Sequence, residues 1–527
     1  MTKTDVNIAR PEGYSTVEKM ISWARLGWMH FGLLAFVILA IMSVQSLSAG
    51  MDELARSKLD SGLGLKHKEM RFYWDRWTKD FGSYMAVIPL GLMGPVVDRF
   101  GRFIPLFVTL ILCGASIPLL WLTKDPTVFV FSYVFAIYWC VPSIIALSYL
   151  YCYELIPLKH RLVAQLAMSV AETLGMLLFG LTDKMALQSH EDENGSVIAE
   201  LWAIRERFYS VVPLAFVGLA LLVGVLVVRG RDTILSYVNC RTGETGSAFE
   251  ALLATGQANT SEPVPFSREE FMINTERERF VMPDFYTTIK QISLGPLLAL
   301  LSGPLVLVMW NESFDAYGYQ VSDYLGGGYA VNALPYMLLE HGLAIAGIAV
   351  AIALWFWTKD VRFVPSVAVF IFSLGAVITA SITIFDKDGY AEAAPEDQMQ
   401  RLTTGVSLML LARPVIAALY RVLTMDVFPT SDRGKGVFAL KALEFLIGGL
   451  VATCTFKCNS SRLLFPIEAT IVAAAGAASI AVFYSTNWFD KSLVCRDPEL
   501  DACWLINPDS KVAVMGSRDR SSNTCSA

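Results

Sequence analysis

The sequence predicts an all-α membrane protein with twelve transmembrane helices in two six-helix halves. Three observations carry that prediction. Of the 527 residues, 54% are hydrophobic and the mean hydropathy is +0.49, above the roughly 45–50% apolar share of a soluble domain even counting glycine. Twelve apolar runs approach the roughly 20 residues a helix needs to cross the hydrocarbon layer, where every backbone polar group must be satisfied within its own segment. One motif occurs twice, once in each half, as a duplicated bundle would have it.

Taken in order, the first half places its spans at residues 26–47, 81–97, 103–122, 128–150, 162–181 and 211–228. The second half places them at 294–310, 338–357, 364–384, 404–423, 437–454 and 464–484. The expected organisation is a terminal segment 1–25, a six-helix bundle 26–228, a polar linker 229–293 with short helices on the membrane surface, a second bundle 294–486 and a polar tail 487–527. The first residues lack the apolar core and cleavage site of a secretory signal, which leaves the first span to act as the targeting signal.

Lysine and arginine in short loops mark the cytoplasmic side. With the N-terminus inside, Arg99 and Arg102, Lys159 and Arg161, Lys359 and Arg362, and Arg433 and Lys435 all fall in cytoplasmic loops, so both termini are expected in the cytoplasm. The outward loop 48–80 is basic in places, at Lys66, Lys68, Arg71 and Arg76, but it is long and balanced by acids. Glycosylation triplets at Asn194, Asn311 and Asn459 fall in expected outside loops, and only Asn259 falls inside. They suit a secretory route to the plasma membrane or an endomembrane vesicle.

A net charge of -6 with 17% charged residues gives no polyanion-binding surface, so nucleic acid is not an expected partner. The nine cysteines are scattered and form neither a metal knuckle nor a disulfide framework. No metal or other cofactor is expected. His30, His67, His160, His190 and His341 are dispersed, with no acid–base cluster around them, which argues against an enzyme. No phosphate-binding glycine–lysine loop is present to bind ATP.

After the second span the chain reads Gly94-Pro95-Val96-Val97-Asp98-Arg99-Phe100-Gly101-Arg102. A glycine there lets two helices approach closely, Asp98 can face the positive end of a neighbouring helix, and the arginines can bridge to nearby acids. The second element is acid-x-x-Pro-x-x-x-Arg, present as Glu154, Pro157 and Arg161 and again as Asp426, Pro429 and Arg433. The nonapeptide resembles the signature loop of the major facilitator superfamily, where it locks the cytoplasmic side of one conformation. The longer string Leu423-Thr424-Met425-Asp426-Val427-Phe428-Pro429-Thr430-Ser431-Asp432-Arg433-Gly434 resembles the sugar-porter and organic-ion-transporter branch and, within it, the synaptic vesicle glycoprotein relatives. Departures from the sugar porters include Tyr484 to Phe489 at the end of the last span, where that branch places Pro-Glu-Thr-Lys-Gly.

The resemblance implies a major facilitator fold and a monomeric carrier in the lipid bilayer. It would move a small polar or charged organic solute by alternating access, with a sugar as the second choice. Asp98, Arg99, Arg102, Glu154, Arg161, Asp426 and Arg433 would then form a cytoplasmic latch. A receptor-like or vesicle protein that keeps the fold without transport is the rival from another class.

Ionisable groups at bilayer depth cost about 2.5–3.5 kcal/mol at a helix centre and are functional candidates by default. Glu172 in the fifth span and Arg413 in the tenth both fall near mid-depth, one in each half, where they could flank a central site, contact a solute, exchange a proton, or form a structural ion pair. A desolvated carboxyl at Glu172 makes protons the candidate coupling ion. Lys441 and Glu444 stand three apart on one helix face and can pair with each other. Tyr138 and Trp139, next to Tyr133, could line a cavity and face a cation or planar solute. Glu340 and Glu468 are expected at the interface.

Overall fold

The computed structural model describes residues 17–57, 81–157, 160–188, 199–239, 245–260, 263–281, 285–291, 294–322, 324–325, 334–358, 363–385, 396–428, 432–457 and 465–485. Each of the twelve expected spans coincides with a long helix. In the first half these are α2 (Trp28–Ser57), α3 (Phe81–Phe100), α4 (Phe103–Leu122), α5 (Pro126–Leu155), α6 (Arg161–Gln188) and α7 (Ala199–Val223, continued by a π-helical turn over Gly224–Val228). The second half contributes α12 (Leu294–Ser322), α13 (Leu334–Thr358), α14 (Phe363–Phe385), α15 (Glu396–Val427), α16 (Arg433–Lys457) and α17 (Phe465–Ser485). Among the described residues, eight helices are long and apolar enough to cross a membrane.

Several of these helices outrun the apolar stretches that mark them in the sequence. The backbone ladder needs no apolar side chain once it leaves the hydrocarbon, so hydropathy finds the buried part and misses the ends. Asn311 shows the consequence. It was expected in an outside loop after residue 310, yet it lies inside α12. Asn194 and Asn459 lie outside the described residues.

Local chemistry sets the boundaries. Gly101, at φ +87°, ends α3 in a left-handed conformation that a side chain would oppose, and its N–H donates to the Val97 carbonyl at 3.1 Å. Asp125 caps α5, accepting from the N–H groups of Thr127 and Val128 at 2.7 and 3.3 Å, with Pro126 preset for the first turn. Midway, α5 widens into a π-helical stretch over Val134–Cys140. Pro142 follows at once and has no N–H to return to the preceding turn, which accounts for the widening.

In the first half α2 packs on α5, α6 and α7; in the second, α14 packs on α15 and α17 while α12 packs on α15, α16 and α17. The halves meet where α3 lies along α16 and where α6 lies along α13 and α15. Gly94 makes the first of these contacts close, since a Cβ there would sit 2.7 Å from the Lys435 Cα. Ile88, Leu92, Leu119, Phe370 and Val377 are exposed on the outer faces, as a lipid-facing wall requires.

The linker is helical as well. The short helices α8 (Ile234–Asn239), α9 (Thr245–Asn259), α10 (Arg268–Val281) and α11 (Phe285–Gln291) lie between the halves in sequence. Together with α1 (Val17–Trp23) before the first span, the linker builds a second, smaller apolar core from Val17, Met20, Trp23, Leu252, Phe266 and Phe271.

Candidate functional site

Charge is concentrated in two layers, one at the end of the bundle where α3, α5 and α16 meet and one deeper between the halves. In the outer layer Arg102 is fully buried. Its Nε and Nη2 donate to the two Glu154 carboxylate oxygens at 3.1 and 2.9 Å, and its Nη1 donates to Asp98 Oδ1 and the Val97 carbonyl at 3.2 and 3.0 Å. From the other half, Arg433 Nη1 donates to Glu154 Oε1 at 3.4 Å and its Nε to the Met425 carbonyl at 2.7 Å. Asp98 accepts from the N–H groups of Gly434 and Lys435, both at 2.9 Å. These amides belong to the first turn of α16, so one half caps a helix of the other, at its positive end. Arg161 and Arg433 lie over the Tyr153 ring, 4.4 and 5.0 Å from its centroid, and the Tyr153 hydroxyl donates to Asp426.

Six of the seven expected latch residues therefore come together. Arg99 does not join them: it is exposed and lies over the Phe100 ring at 5.6 Å. The linker joins in its place. Asp232 accepts from the Arg102 backbone N–H at 2.8 Å, and Thr233 Oγ1 donates to Glu154 Oε2 at 2.8 Å. Burial pushes the Asp232 carboxyl above the usual carboxylate range, with Arg102 opposing that shift.

The deeper layer centres on Glu172 of α6. About 16 Å along α6 from Arg161, by the helical rise, its carboxylate meets Arg421 of α15, whose Nη1 and Nη2 donate at 3.0 and 3.3 Å. Tyr149 Oη and Gln45 Nε2 also donate to it, each at 2.7 Å, and the Arg421 guanidinium lies 3.9 Å from the Tyr149 ring centroid. Lys441 and Glu444 of α16 pair as expected, at 2.8 and 2.9 Å, and act electrostatically on the Glu172–Arg421 pair. Each of these four side chains keeps about a fifth of its surface exposed (19–23%). Charged groups at such depth turn to the bundle interior rather than to lipid, and these four lie where α6 and α16 approach α15.

Arg413 is not the partner of Glu172. It lies about 12 Å farther along α15 from Arg421, inside the second half, with Glu340 at 3.5 Å, the Asn311 side-chain amide oxygen Oδ1 at 3.0 Å and the Trp310 ring at 5.4 Å. Glu340, expected at the interface, is thus the arginine's acid. Tyr138 and Trp139 are also away from the charges. With Met85, Pro89, Leu112 and Phe135 they line an apolar cavity of about 560 Å³ between α3, α4 and α5. Tyr138 packs edge-on to Phe445 across the halves and Trp139 edge-on to Phe135.

Comparison of the sequence with protein-family profiles and with curated proteins returns no match. Solved structures do match. The proton:xylose symporter XylE, bound to 6-bromo-6-deoxy-D-glucose, aligns with a TM-score of 0.66 at 15% identity, over 86% of this chain and 94% of that one. The fucose:proton symporter FucP of E. coli aligns at 0.54 and 12% identity, over 87% and 98%. The chain has the major facilitator fold.

In a major facilitator fold the two halves are repeats, and that relation finds the residue the sequence reading missed. Arg421 precedes Asp426 by the same distance that Tyr149 precedes Glu154, and Glu444 follows Asp426 as far as Glu172 follows Glu154. Lys441 likewise matches Ser169, which itself lies 3.4 Å from Arg421 Nη1. The deep layer is thus built from equivalent positions of the two halves. Arg421 stands two residues from the expected end of its span, where an arginine reads as interfacial.

Proposed function

We propose that this protein is a secondary transporter that moves a small polar or charged organic solute by alternating access, with protons as the candidate coupling ion. The observation that carries the proposal is the Glu172–Arg421 pair, a partly exposed ion pair between the halves at membrane depth, with a buried cluster of charges joining the halves at one end. A solute that competes for Glu172 or Arg421 loosens the contact between the halves, and the latch then sets how readily that end opens. The clustering of basic residues supports a cytoplasmic placement of the latch end. The same charge-lined space suits an organic ion or polar metabolite; a sugar is the second reading, favoured by the xylose and fucose symporters that share the fold.

The test is a mass-spectrometric uptake screen over a metabolite mixture, in cells expressing the wild type, Glu172→Gln or Arg421→Gln, with and without an imposed pH gradient. A solute should accumulate with the wild type and not with either variant, and coupling to protons should show as dependence on the gradient. Equal solute profiles in expressing and non-expressing cells, with all three proteins at the surface, would sink the transport reading.

A further inference from the structure

The deep layer has a property that pairwise description hides: it is electrically closed. Glu172 and Arg421 are one acid and one base, Lys441 and Glu444 are another such pair, and each pair acts on the other. Arg413 and Glu340, about 12 Å farther along α15, pair separately with each other. The other groups around Glu172 and Arg421 are Tyr149, Ser169 and Gln45, all uncharged hydrogen-bonding side chains. Among the described residues the deep layer is therefore a cluster of net charge zero.

A solute of one sign entering that cluster leaves it with an excess charge away from bulk water, which is strongly unfavourable. A solute carrying both signs does not. Its cationic group can replace Arg421 at Glu172, and its anionic group can take up the guanidinium that is released. Lys441 acts electrostatically on Glu172 and Glu444 on Arg421, so the second pair can offset whichever end is incompletely paired. Building on the transport reading, we propose that the site takes zwitterionic solutes, and that Lys441 and Glu444 set this preference by holding the cluster at neutrality.

The inference predicts how selectivity moves when neutrality is broken. Lys441→Gln leaves the cluster with one excess negative charge, and Glu444→Gln with one excess positive charge. The experiment uses the full chain in intact cells, matched for surface amount. A defined mixture is supplied that contains several cations, anions, zwitterions and neutral sugars at equal concentration, including choline, glycine betaine, 3,3-dimethylbutyrate and xylose. Wild type should accumulate zwitterions over single-sign ions by about tenfold or more, Lys441→Gln should shift toward cations and Glu444→Gln toward anions. The double variant Lys441→Gln/Glu444→Gln, neutral again, should return to zwitterions, and it keeps the test open if a single variant misfolds. Wild-type preference for a single-sign ion or a sugar, or unchanged selectivity in all the variants, overturns this inference and leaves transport standing. Accumulation of no class by any correctly inserted form overturns both.

Discussion

At the scale of single residues, the energetics turn on which charges are left without a partner. Arg102 and Glu154 are both sealed from solvent, so removing one leaves the other a buried charge with a single remaining ion partner, Asp98 for Arg102 and Arg433 for Glu154. Glu154→Gln or Arg102→Gln should cost about 3–5 kcal/mol, read as a lowered melting temperature of the purified protein. Glu172 and Arg421 give a sharper comparison. Glu172→Gln/Arg421→Gln should melt higher than Arg421→Gln alone, because the double change strands no charge; a double variant that melts lower would count against the pairing. Asp232 supplies a pH dependence whose sign is fixed. Its folded pKa is raised by burial, so its contribution is largest below the ordinary carboxylate pKa of about 3.9 and is lost as pH rises through the higher folded value. Mild acidification should therefore stabilise the wild type relative to Asp232→Asn, in melting curves taken from neutral pH downward.

At the scale of elements, the contact of α3 with α16 is the one most open to steric test. Gly94→Val places carbon where the backbone of Lys435 already lies, so the two helices must separate at the latch end. A cysteine at buried Thr424 should then react faster with a soluble maleimide than in the Gly94 background. Asp98→Asn acts on the same junction by weakening the cap, worth about 0.5–2 kcal/mol, and should raise the same labelling rate by roughly two- to thirtyfold. The elements differed in how far they could be read beforehand. The long helices were legible because lipid demands long apolar runs; Glu154, Arg161, Asp426 and Arg433 stood out because their spacing repeats, and Asp98 and Arg102 because they lie in the nonapeptide. Arg413 pairs with Glu340 rather than facing Glu172, because depth alone cannot say toward which neighbour a side chain turns. Tyr138 and Trp139 do line a cavity, but an apolar one away from the charges, because aromatic residues pack against apolar helices as readily as they line a polar site. Arg421 was hidden by its place near the end of an apolar run.

For the whole molecule, the linker makes the two-half description incomplete. Asp232 and Thr233 tie it to Arg102 and Glu154, and Asn259 ties it to the start of α2 through the carbonyls of Ala24 and Arg25, each at 3.1 Å. The linker core thus grips the first half at two points, and motion of the halves should carry it along with the first. The cap on α16 has a different reach. Gly434 and Lys435 bond to a carboxylate that belongs to the opposite bundle, so those two amides lose their acceptors whenever the bundles part. The helix start is then ordered in one conformation and frayed in the other. Hydrogen–deuterium exchange at these two backbone positions should therefore report the populations of the two states directly, with no label attached and no solute identified.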